Sequence, residues 1–246
     1  MQPMEGFPTE SFRRTIIEMG ADLAGFADLR EIPDDIRNGL PRGISIAKKY
    51  APEVIAGIHN GPTPEYAAMY ERLNAELNSV AKRIAAYIEG LGFNAKVRLS
   101  TVAGPSKGNR VVEFKPLEEI AVRLPHKTVA TLAGLGWIGR TDLLVTKKYG
   151  PRIRLASILT DAPFECDKPI VESRCGKCVA CVDACPVDAG RTANWRRDLL
   201  EEKYDVYKCY EFAKKISLER GFNHHLCGIC IAACPVGKIR DGATFS

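Results

Sequence analysis

Residues 175–186 read CGKCVACVDACP, and residues 224–235 read HHLCGICIAACP. The first stretch spaces its cysteines as Cys175-x2-Cys178-x2-Cys181-x3-Cys185 and closes on Pro186. A 4Fe–4S cube needs four converging thiolates, and two-residue gaps let three of them wrap it from one tight loop. The fourth cysteine of such a run reaches a neighbouring cube more readily than its own. Proline after it fixes the exit direction and withholds a competing N–H. The second stretch supplies Cys227-x2-Cys230-x3-Cys234-Pro235. By the crossover rule Cys234 completes the first cube, whose ligands are then Cys175, Cys178, Cys181 and Cys234. The second cube keeps Cys185, Cys227 and Cys230 and is one thiolate short, with Ala233 where a further ligand is expected.

Cys209, in KCYEFAKKI, is the one cysteine between the two runs. Two readings stand: a small buried hydrophobe, or the missing ligand, delivered from the start of a helix. The ligand arithmetic points to the second. Zinc is the competing metal, but it takes four ligands in two pairs, and a 3+1 rhythm suits it poorly. Cys166 is left over, either an unligated thiol or a group near the substrate end. His224 and His225 precede Cys227; with enough cysteines for both cubes they are expected to line the loop or meet solvent, and to act on a cluster through hydrogen bonds.

The rest of the composition limits the alternatives. The chain has 246 residues, enough for one large domain or two modest ones. Nine cysteines without a secretory leader point to metal rather than disulfides, and the expected compartment is the cytoplasm. No apolar run is long enough to span a membrane. The formal charge of +5 suggests nucleic acid at first. Each cube with its four thiolates carries about −2, so two of them bring the holoprotein to roughly +1.

Upstream of Asp161 the pattern is α+β. FPTESFRRTIIEMG (7–20) reads as a helix capped by Ser11 or Thr9 and stopped by Gly20. In 65–90, Tyr66, Tyr70, Leu73, Leu77, Val80, Ile84 and Ile88 recur at steps of three and four, an amphipathic helix. ADLAGFADL and FNAKVRL read as strands, as do LLVT and IRLASILT, joined through a turn at Gly150-Pro151. Residues 115–133 suggest a helix interrupted at Pro125. The sheet is expected to be mixed or antiparallel. The composition shift near Asp161 divides the chain into a domain of residues 1–160 and a metal-held domain of residues 161–246.

Gly134-Leu-Gly136-Trp137-Ile-Gly139 matches the dinucleotide signature in letters, with Asp161 about twenty residues on. The signature requires strand, glycines, helix; here a helix-like KTVATLA comes first and a strand follows. The glycines are expected to make a tight connection, or to let the backbone approach a large planar cofactor on which Trp137 packs.

GLGWIGRTDLLVT, CGKCVACVDACP, KCYEFAKKISLERG and CGICIAACP together resemble the epoxyqueuosine reductase family, related to the corrinoid-containing reductive dehalogenases. The likeness covers residues 120–240 well and the N-terminal part in outline. It implies a nitroreductase-like α+β domain holding a cobalamin, followed by a ferredoxin-like domain with two 4Fe–4S clusters, and a cysteine opening a helix where Cys209 stands. FMN, usual in the nitroreductase fold, is the second choice. The candidate cofactor-side residues are His126, Lys127, Gly134, Gly136, Trp137, Gly139 and Arg140: His126 either has a part in acid–base work or is a surface or helix-start residue, and Lys127, Arg140 and Arg123 either meet an anionic cofactor edge or are solvated charges. Two features depart from the family. Ile120 stands where members acting on the tRNA base carry an aspartate resembling a proton donor, with Glu118 and Glu119 nearby. The chain also stops soon after its last cluster cysteine, where many members continue into a tRNA-associated helical-repeat domain, so tRNA is not an expected partner. The resulting expectation is a reductase that takes low-potential electrons from a ferredoxin or flavodoxin and passes them through two clusters to the cofactor, for an unidentified small-molecule or protein substrate. The alternative is a non-catalytic carrier serving a partner or corrinoid protein.

Overall fold

The computed structural model describes residues 7–100, 124–196, 204–222 and 224–237. Helix α1 (Thr9–Glu18) leads into strand β1 (Leu23–Asp28), the short helix α2 (Asp34–Arg37), strand β2 (Arg42–Lys49) and helix α3 (Pro52–Ala56). Helix α4 (Pro64–Gly90) and strand β3 (Ala95–Arg98) follow. Then come helix α5 (His126–Leu132), strands β4 (Gly136–Ile138), β5 (Leu144–Thr146) and β6 (Ile153–Thr160), and helices α6 (Ala180–Asp183), α7 (Val206–Glu219) and α8 (Ile229–Ala233).

The main sheet runs β1-β2-β6-β3 and every pairing in it is antiparallel, resolving the open choice of sheet type. Its central strands are buried on both faces because helices cover both. On one side Phe12 and Ile16 of α1 and Leu77, Ile84 and Ile88 of α4 pack on Phe26, Ile44, Ile46 and Ile158. On the other, α5 lies so close that only small residues fit beneath it: a Cβ at Gly25 would stand 2.4 Å from the carbonyl oxygen of Ala133. The seven apolar positions expected on α4 are all buried. Its start is set by Thr63, whose hydroxyl accepts from the N–H of Tyr66 at 3.2 Å, with Pro64 in the first turn.

Three expectations change. Helix α1 has no side-chain cap: Pro8 occupies that position, and the Thr9 hydroxyl bonds Phe7 and Glu165 instead. Helix α5 begins after Pro125, which caps it rather than interrupting it; residues 115–123 lie outside the described residues. LLVT and IRLASILT are consecutive but sit in different sheets, since β5 pairs with β4 in a separate hairpin.

Helix α4 also ties the two halves together. Its first turns place Tyr66, Ala67, Tyr70 and Leu73 against Leu226 and Ala232 of the cysteine region, while its last turns face the sheet. Contacts therefore cross the boundary near Asp161. Gly228 is in the left-handed region (φ 86°), and a Cβ there would meet Ile58 at 2.6 Å.

Candidate functional site

The fold gathers the cysteines into two groups. Cys175, Cys178, Cys181 and Cys234 line one cleft together with Gly139, Arg140, Thr141 and Cys230. Cys181 feels Cys234, Cys175 and Cys178, and burial followed by these neighbours pushes its thiol up to about 11. In the second group Cys209 is close to Cys185, and Cys227 is close to both. Cys230 joins them: burial first, then Cys227, raises its thiol, and Cys209 also acts on it. Cys209 reaches this group from the first turn of α7, where Asp205 caps the helix by accepting from Lys208 N at 3.0 Å. Burial raises the Cys209 thiol, and the neighbouring Tyr204 hydroxyl opposes that rise.

Thiols buried against one another resist ionisation, and a multivalent cation reverses that balance. Among the described residues no three His, Cys, Asp or Glu side chains converge on a point that would hold a single metal ion. A cube takes its thiolates at separate corners. The surroundings fit such a group. Arg140 and Arg152 are buried, at 5% and 7% exposure, and their partners are backbone carbonyls. Arg140 donates to Cys178 O at 2.9 Å, Gly176 O at 2.8 Å and Thr192 O. Arg152 donates to Val236 O at 2.5 Å and to Cys234 O. Two buried guanidiniums flanking one cysteine group call for negative charge between them; a cube with four thiolates, at about −2, supplies it.

Next to the second group is a cavity of ≈ 220 Å³ walled by Tyr50, Tyr66, His126, Lys127, Arg154 and Ile231, among others. Tyr50 is 3% exposed, its ring stacks on Tyr66 at 5.1 Å, and its hydroxyl has no hydrogen-bond partner of good geometry. Burial pushes that phenol up to about 12, so it is a neutral donor. Tyr50 also borders a second cavity of ≈ 520 Å³ lined by Lys49, His59, Lys148, Tyr149 and Arg152. Small-molecule sites hold about 300–1,000 Å³, so the first cavity takes part of a large planar ligand. The buried Tyr50 hydroxyl and the nearby cation Arg154 suit the polar edge of one, and the apolar walls its faces.

The seven residues expected around the cofactor separate. His126 and Lys127 line the first cavity, but both are already engaged. His126 Nδ1 meets Ser157 Oγ and Nε2 meets Leu99 O, each at 2.9 Å, and Lys127 pairs with Asp142. Gly134, Gly136, Trp137, Gly139 and Arg140 border neither of these two cavities. Gly134 turns against Lys168 O, and Gly136 lets β4 press on Val145 O. Gly139, Trp137 and Arg140 touch the cysteine loop instead. The dinucleotide reading also fails on Asp161, whose carboxylate accepts from Asn94 N and Nδ2 at 2.7 and 2.6 Å. His224 is buried and paired with Glu71, while His225 sits edge-on to Tyr210. Cys166 is exposed beside Asp28 and Arg42. Ile120, Glu118, Glu119 and Arg123 lie outside the described residues. Tyr50 and Arg154 carried no local sequence signal, and Tyr66 showed only its place in the apolar stripe of α4.

Residues 174–240 match the family described as a 4Fe-4S double cluster binding domain. Over 176 residues the chain is 29% identical to the epoxyqueuosine reductase of Aliivibrio fischeri, an alignment covering 68% of this chain and 41% of that one. Over 192 residues it is 29% identical to the tetrachloroethene reductive dehalogenase of Desulfitobacterium hafniense, covering 74% and 31%. A solved reductive dehalogenase, reported with a mechanism for B12-dependent dehalogenation, superimposes with TM-score 0.68 at 18% identity over 97% of this chain and 33% of that one. In sequence the chain is similar to epoxyqueuosine reductases and to a reductive dehalogenase, and it shares its fold with the solved dehalogenase. It spans about two fifths of the Aliivibrio relative. Its fold is an α+β domain with a C-terminal ferredoxin-like double-cluster region. No helix among the described residues is long and apolar enough to cross a membrane.

Proposed function

We propose that this protein is an iron–sulfur oxidoreductase that moves low-potential electrons through two 4Fe–4S clusters to a cofactor held at the 220 Å³ cavity. The first cluster is assigned to Cys175, Cys178, Cys181 and Cys234, the second to Cys185, Cys209, Cys227 and Cys230. The observation that carries the reading is the register of α8: Cys230 turns to the second cysteine group while the next residue, Ile231, lines the cavity. Tyr66 both lines the cavity and lies near Cys230, so the ligand space and the cluster share a wall.

Cobalamin is the favoured cofactor, as in the B12-dependent relative, and FMN the second; either supplies low-potential reducing chemistry that amino-acid side chains lack. This chain's residues bind and shield it. Leu144, Ile153, Leu155 and Ile231 exclude water, and Arg154 and the Tyr50 hydroxyl face its polar edge. A ferredoxin or flavodoxin is the assigned electron donor, and the substrate is a small molecule or a protein rather than tRNA. The division at residue 160 assigns cofactor binding to the first part and electron delivery to the second.

One observation favours the carrier alternative: both ring nitrogens of His126 are occupied and Lys127 is paired, so neither is poised to deliver a proton. Iron, sulfide and cobalt analysis of protein isolated without air, with its visible spectrum, separates the readings. About eight irons with corrin bands support the reductase, and flavin bands support FMN as the cofactor. About eight irons with neither, after added cobalamin and FMN have been offered and washed away, support the carrier. About four irons refute the two-cluster wire.

A further inference from the structure

The β4–β5 hairpin touches both cysteine groups. The indole N–H of Trp137 donates to Cys175 Sγ at 3.4 Å. Four residues on, Thr141 lines the same cleft as Cys230, and its hydroxyl favours the ionised form of that thiol. Cys175 and Cys230 belong to different groups, so one short turn offers one donor to each. Trp137 is 4% exposed and Thr141 8%, so water does not compete for either contact. The hairpin is also held in place. Arg140, between the two donors, grips the carbonyls of Cys178 and Gly176. Gly139 brings the turn so near that even its missing Cβ would come within 3.8 Å of Cys175 Sγ.

We propose that this hairpin sets the reduction potentials of the two cubes separately, Trp137 acting on the Cys175 cube and Thr141 on the Cys230 cube. The inference rests on the two-cluster reading above. A hydrogen bond given to a thiolate sulfur draws charge from it and is stronger when the cluster is reduced and more negative. Each donor therefore raises the potential of its own cube. Both residues are positioning residues, since neither ligates iron.

The test is an EPR-monitored redox titration of the full-length protein, reconstituted anaerobically and assayed first for iron. Trp137→Phe should keep about eight irons and move one of the two midpoints to more negative potential. Thr141→Val should move the other, and Thr141→Ser, which keeps the hydroxyl, should restore it. Eight irons with unmoved midpoints overturn this inference alone, whereas about four irons in the native protein overturn the two-cluster reading and the inference with it. If Trp137→Phe loses iron, resonance Raman spectra of the native protein in H2O and D2O decide the point. An exchange-sensitive Fe–Sγ stretch supports the donor, and its absence overturns it.

Discussion

The Nε of Arg140 lies 2.9 Å from the carbonyl oxygen of Cys178, and the same buried guanidinium reaches Gly176 and Thr192. One side chain from the N-terminal half thus fixes the loop that presents Cys175 and Cys178. Arg140→Met keeps bulk but removes the charge and the three hydrogen bonds it gives, leaving Gly176 O only the Asn194 amide as a donor. Roughly 1.5–3 kcal/mol is lost for each charged hydrogen bond of this kind. The expected result is a lower melting temperature and preferential loss of one cube, read as iron falling from about eight toward about four.

Cys209 reaches Cys185 and Cys227 only through α7. Cys209→Ala should halve the iron while far-UV circular dichroism stays native-like. Cys166→Ala should change neither, because that thiol is exposed and lies beside Asp28 and Arg42. Full iron in Cys209→Ala would remove it from the ligand set.

The Tyr50 hydroxyl is buried with only the Tyr66 hydroxyl near it, out of good hydrogen-bond geometry, and a poorly satisfied buried group costs up to about 1–3 kcal/mol. Tyr50→Phe should therefore leave the cofactor-free protein as stable as native or more so, while weakening retention of bound cofactor. Differential scanning fluorimetry with and without added cobalamin separates the two effects. Destabilisation without cofactor would mean the hydroxyl is already satisfied by the protein.

Burial holds the His126 imidazole below its usual pKa, against a smaller opposing contribution from the Leu99 carbonyl. The folded state therefore resists protonation more than the unfolded state, whose histidine titrates near 6.5. Below that pH the unfolded chain binds the extra proton, so stability is full above it and declines as pH falls toward the depressed folded value. Melting temperatures from pH 8 to pH 5 should fall more steeply for native protein than for His126→Gln. Parallel curves would refute the assignment.

Gly25 lies under α5, where a Cβ would stand 2.4 Å from Ala133 O, a backbone atom that cannot swing aside. Gly25→Ala should cost about 1–3 kcal/mol by forcing helix and sheet apart. Urea denaturation measures it, and an unchanged midpoint would mean α5 is free to shift.

Cysteine spacing alone carried the double-cluster region, since a thiolate loop around a cube is a local feature whose geometry two- and three-residue gaps dictate. The α4 stripe was equally legible because helical period is local. What tertiary structure decided was everything that depends on two distant segments meeting. The glycine run GLGWIG reads identically whether it faces a cofactor or a cysteine loop. Packing sent Trp137 to Cys175 and Arg140 to Cys178. Tyr50 and Tyr66, separated in the chain by α3 and its following turn, acquire a shared cavity only because the first turn of α4 packs against the residue that follows β2. Spacing records which groups can reach one another along a chain. Burial, and the charge and hydrogen-bond partners that burial then demands, depends on how the layers close.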